Sequence, residues 1–194
     1  MRDIVAGPGL GTTISARDCS ADPILEMPMT TAKDVYIVGL RNAHAMEVQA
    51  RELMERQAER LGDYPDVQSK VRTHLEETKN QIERLERCLD ACGENSSTLK
   101  DTTQSVMANA QAMMHAMAGD EILKNTFANN AFENFEIAAY KSLLALCSEA
   151  GMDQSRSALE TSLREEQQMA QWIDANVENV TRAYLRNEAR QSAA

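Results

Sequence analysis

Beyond residue 30, apolar residues recur at spacings of three, four and seven, the period of a helix with one buried face. Between Thr31 and about Leu61 that face is Tyr36, Leu40, Ala43, Ala50, Met54, Ala58 and Leu61. Gly62 ends this first helix, and the stretch from Asp63 to Asp66, with Pro65, makes a turn. A second helix is expected from about Pro65 to Cys92, on the ridge Leu75, Ile82, Leu85 and Leu89, before Gly93, Asn95, Ser96 and Ser97 break the chain. A third runs from about Thr98 to Ala118. A fourth runs from about Glu121 to Ala150 and is closed by Gly151. A fifth, from about Asp153 to Arg190, carries Leu159, Leu163, Ala170, Ile173, Val177 and Tyr184 on one face.

Composition supports helix throughout. Aromatics are 4% of 194 residues, there are only 4 prolines, and Met is high at 11. The stripe Met107, Met113, Met114 and Met117 in the third helix, beside His115, reads as flexible core packing rather than as copper ligands. Residues 1–29, with Gly7, Pro8, Gly9, Gly11, Pro23 and Pro28, read as a disordered tail, and residues 30–190 as one helical domain. The formal net charge of −10 excludes nucleic acid as the main partner, because phosphate binding needs a basic face. No apolar run approaches the roughly 18 residues of a membrane span. Cys19, Cys88, Cys92 and Cys147 fit neither a redox nor a zinc spacing; they read as free thiols, which suits a reducing cytoplasm.

The helices repeat. The first and second form a hairpin about Gly62, and the fourth and fifth another about Gly151, at an offset of 89 residues. The same offset relates Glu47 to Glu136 and Glu77 to Glu166. Each glutamate stands 15 residues from its glycine. In an antiparallel pair this sets Glu47 level with Glu77, and Glu136 level with Glu166. Glu47, Glu136 and Glu166 lie on apolar faces, where unpaired charge is expensive. Glu77 borders its ridge. Two hairpins joined by a crossover, with an inward Glu on each helix, form the ferritin-like antiparallel four-helix bundle.

Four stretches carry a specific resemblance: LRNAHAMEVQ, HLEETKNQIERL, ENFEIAAYKSLLALCSEAG and, more loosely, LREEQQMAQWI. Over about residues 32–185 the chain resembles the YciE/YciF-type ferritin-like bacterial proteins. The resemblance implies a cytoplasmic, stress-associated protein that is often dimeric. Outward Val35, Ile37, Val38, Ile122 and Leu146 also point to a homodimer.

Ferritin-like di-iron sites place Glu-x-x-His on two helices, but the His positions here hold Asn80 and Met169. A standard oxygen-activating centre is therefore not expected. Instead His44, His74 and Glu133 stand three residues before Glu47, Glu77 and Glu136, on the same helix faces. The metal-ligand set read from the sequence is Glu47, Glu77, Glu136, Glu166, Glu133, His74 and His44, for iron or manganese, with no organic cofactor. Three classes of function stay open: a metal-binding stress protein that handles iron or peroxide, a metal-free structural or interaction module, and a true ferroxidase or oxygenase.

Overall fold

Thr31 caps the helix that begins at Ala32, and the cap is reciprocal. Its hydroxyl accepts from the Asp34 N–H, and the Asp34 carboxylate accepts from the Thr31 N–H. The computed structural model describes residues 30–94 and 121–193. Within them the helices are α1 (Ala32–Arg60), α2 (Pro65–Ala91), α3 (Glu121–Glu149) and α4 (Arg156–Gln191). A single 3-10 turn, Asp153–Ser155, precedes α4. The described residues contain no strand. The expected Met-rich third helix, the tail and Cys19 lie outside the described residues.

The two hairpins close differently. At Gly151 the chain takes φ +66°, Gly151 N–H donates to the Ser148 carbonyl, and Met152 N–H donates to the Cys147 carbonyl. This pairing of the last carbonyls needs a left-handed residue, which glycine provides without strain. Gly93 closes α2 in the same way, at φ +86°. Gly62 has no such role, contrary to the expectation from its position. The first turn is instead made by a bond from Tyr64 N–H to the Leu61 carbonyl, and Pro65 begins α2.

Every neighbouring pair of helices is antiparallel. Gln57 exchanges bonds with Asn129 between α1 and α3, while Tyr140, farther along α3, reaches back to Glu47. Arg84 of α2 meets Ser162 and Glu165 of α4. Helices α2 and α3 therefore run the same way, on opposite corners of the bundle. Glu94, just past α2, pairs with Arg41 near one end of α1, and Glu121 pairs with Arg60 at the other. Residue 94 and residue 121 thus stand at opposite ends.

The interior is layered. Towards the start of α1, Tyr36, Leu40, Leu85, Leu143, Cys147 and Leu159 form one apolar cluster. Towards its end, Ala50, Met54, Val71, Leu75, Ile122 and Val180 form another. Ile122 is buried there at 7% exposure and Leu146 is half-buried, so neither is the outward residue expected from the sequence. Val35 and Val38 do remain exposed. Between the two apolar clusters lies a polar layer.

Candidate metal centre

Each helix contributes to the polar layer from its buried stripe. On α1 the stripe passes through Glu47, and on α4 through Ser162, Glu166 and Met169. On α3 it carries Glu133 and Glu136, one helical turn apart. On α2 it carries His74, Thr78 and Gln81, at spacings of four and three. Glu47, Glu136 and Glu166 are at most 1% exposed, His74 is 1% and Glu133 is 4%.

His74 is the hub. Its Nδ1 is 2.9 Å from Glu77 Oε2. Its Nε2 is 3.2 Å from Glu133 Oε2 and 3.5 Å from Glu166 Oε2. Ligand atoms of His74, Glu133 and Glu166 all lie within 4.8 Å of one another. Tyr140 donates its hydroxyl proton to Glu47 Oε1 at 2.6 Å. The Gln81 amide donates to Glu166 Oε1 and, at 3.1 Å, to Glu165 Oε2. Arg84 then grips both oxygens of Glu165, at 2.6 and 2.7 Å.

Crowding carboxylates in a dry interior shifts their protonation. Burial, and then the charge of Glu166, raises Glu47 and Glu136 well above the usual carboxylate range. Burial pushes Glu133 up to about 8, against the pull of His74. Burial also opposes ionisation of Glu166, but contact with His74 outweighs it and holds that carboxyl below its ordinary value. Desolvation disfavours a charged His74, yet bonds to Glu133, Glu166 and Glu77 raise it well above a free imidazole. In the metal-free layer, burial and mutual repulsion favour protons on Glu47, Glu133 and Glu136, and the surrounding carboxyls favour the protonated form of His74.

Of the seven candidate ligands, the structure brings Glu47, Glu133, Glu136, Glu166 and His74 into one buried group. Glu77 joins only through His74 Nδ1, and its side chain is 25% exposed. His44 does not join. It lies on the flank of α1, 3.3 Å from Glu86, because its position faces the outer edge of α2 rather than the core. Asn80 is exposed and donates to its own helix at the Glu76 carbonyl. Met169 is buried as plain core.

The matched heights hold in one hairpin only. Glu136 and Glu166 meet across α3 and α4. In the first hairpin the His44–Glu86 pair is centred on Pro65, not Gly62, so the level of Glu47 on α2 falls at Glu83, six residues past Glu77. Gln81 was missed by the sequence reading. The signal for it was the spacing His74, Thr78, Gln81, Leu85, which follows the buried stripe.

The donors suit a hard cation. Glu47 Oε2, Glu133 Oε2, Glu136 Oε1, Glu166 Oε2 and Gln81 Oε1 are buried oxygens without a well-formed hydrogen bond. Oxygen donors with one imidazole match manganese or iron better than soft metals. Over residues 31–186 the chain matches the family described as a domain of unknown function, DUF892. The chain belongs to the DUF892 family. It is 27% identical over 151 residues to protein YciF of Escherichia coli, across 72% of this chain and 86% of that one. The chain also superposes on a solved protein from Xanthomonas campestris, with 26% identity and a TM-score of 0.67, covering 81% of this chain and 98% of the other. The solved Escherichia coli stress protein YciF gives a TM-score of 0.62 at 22% identity, covering 79% and 99%, which shows the shared fold. These matches agree with the resemblance read from LRNAHAMEVQ and HLEETKNQIERL. No helix among the described residues is long and apolar enough to cross a membrane.

Proposed function

We propose that the protein holds divalent iron or manganese in its polar layer, with His74, Glu133 and Glu166 as the first ligands and Glu136 and Glu47 completing the site. The observation that carries this reading is the convergence of three ligand atoms within 4.8 Å, contributed by three helices and all buried. Charge supports a pair of ions. Four buried carboxylates carry −4 when ionised, and two divalent cations would balance them without His74 being charged. Metal would take the place of protons on Glu47, Glu133 and Glu136. Iron or manganese held there would supply one-electron chemistry towards peroxide.

One observation favours the metal-free interaction module as a second reading. The two ring nitrogens of His74 already face Glu77, Glu133 and Glu166, contacts that favour its protonated form and would let the layer balance charge without a cation. Metal analysis after purification without chelator, followed by thermal melting with added manganese or ferrous iron, separates the two. The metal reading expects bound metal. It also expects stabilisation of about 2.7 kcal/mol when free cation reaches 100 times its dissociation constant. A protein that purifies without metal and melts unchanged in millimolar manganese or ferrous iron is the interaction module.

A further inference from the structure

We propose that Glu77 is a positioning residue: it holds the His74 ring by Nδ1 so that Nε2 presents its lone pair to a cation between Glu133 and Glu166. This rests on the metal reading above and reassigns Glu77 from ligand to support. Both residues sit on α2, one turn apart, so the contact is set within a single rigid helix. The ring is 1% exposed, and its two nitrogens face opposite ways, Nδ1 to Glu77 at 2.9 Å and Nε2 to Glu133 at 3.2 Å.

A neutral imidazole has one N–H and one lone pair, and the hydrogen bond at one nitrogen decides which is which. A carboxylate at Nδ1 keeps the proton there. Nε2 is then left as the donor atom, aimed at the oxygens that would share the cation. Carboxylates behind metal-bound histidines act this way in general, and their loss typically costs 10–100-fold in affinity. Glu77 is not itself in the ligand group: the convergent atoms come from His74, Glu133 and Glu166, and its side chain keeps 25% exposure at the edge of the layer. Its neighbour Glu76 is exposed, pairs with Lys79 and touches nothing in the layer, so it provides a matched control.

The experiment titrates the full chain with cobalt(II) alone and follows visible absorption and melting of the metal-free protein in parallel. The variants are Glu77→Ala, Glu77→Gln and Glu76→Ala. Glu77→Ala should weaken cobalt binding about 10–100-fold while the band shape at saturation stays that of wild type. Glu77→Gln, whose amide oxygen can still accept from Nδ1–H, should recover part of the loss, and Glu76→Ala should bind as wild type does. A changed band shape at saturation would make Glu77 a ligand and overturn the proposal. So would equal affinity of wild type and Glu77→Ala, or equal losses in Glu77→Ala and Glu76→Ala; in each case the metal site itself would stand. If wild type binds no cobalt, the metal reading falls and the role of Glu77 falls with it.

Discussion

The apolar clusters at the two ends of the bundle and the polar layer between them are built from the same helix stripes but answer to different demands. Leu40, Leu85, Leu159 and Tyr36 are essentially fully buried and exchange water for close contacts. Glu47, Glu136 and Glu166 are just as buried, and for them burial opposes the charged state. The end clusters stabilise the fold. The middle layer spends part of that stability on a constellation that stability alone would not select. The difference teaches that burial along a helix stripe does not distinguish packing from chemistry; residue type at the buried position does.

The comparison breaks most readily in the apolar layer. Leu85→Ala should destabilise by about 2–5 kcal/mol in urea unfolding, because the cavity forms where four helices meet and cannot collapse fully. In the polar layer an equally drastic change should act in the opposite direction. Glu136→Leu, measured metal-free at pH 8, should stabilise by about 1–4 kcal/mol, since it replaces a crowded carboxyl with a side chain suited to the interior. A loss as large as that of Leu85→Ala would mean that the layer is a net source of stability and would erase the contrast.

Titration gives the finest test. Folded Glu133 keeps its proton up to about pH 8, while an ordinary carboxyl loses it near 4.5. The stability from that proton is complete below about 4.5 and is lost as the pH rises through about 8. Glu47, Glu136 and His74 are also raised, so their contributions fade in the same direction. Glu77 and Glu166 are lowered, and their contributions are lost only as pH falls through the acid range. Metal-free wild type should therefore lose several degrees of melting temperature, roughly 2–4 °C for each kcal/mol, between pH 5 and pH 8. Glu133→Gln should show a shallower slope, as checked by calorimetry across that window. A flat wild-type profile would mean that the buried carboxylates do not keep their protons.

Much of the fold was legible because helix periodicity is local. The expected spans from Thr31 to Leu61, Pro65 to Cys92 and Glu121 to Ala150 lie within a residue or two of α1, α2 and α3. The fifth span differs only in that Asp153–Ser155 is a 3-10 turn before α4. The layer was legible in part. The apolar flanks of Glu47, Glu136 and Glu166 gave away their burial. On α2 the expected level of Glu47 slipped by six residues, from Glu77 to Glu83, because register depends on how a turn closes, and Gly62 does not take the left-handed conformation that Gly151 does. His44 failed for a related reason: three-residue spacing puts it on the same side of α1 as Glu47, but not far enough round to leave the edge. Gln81 is an amide in a charged stretch, and nothing in HLEETKNQIERL marks it as buried except its phase.

The contact from Tyr140 to Glu47 joins residues 93 apart in sequence, and that from Gln81 to Glu166 joins residues 85 apart. Each hairpin can form from neighbours in the chain, but these bonds exist only after the hairpins have met, when the entropy of closing the long connection has been overcome. The order of events in folding is thereby written into the layer. A cation seated across His74, Glu133 and Glu166 would clasp the two halves after they dock. Its mark would be a slower separation of the hairpins, with little change in how fast the helices form.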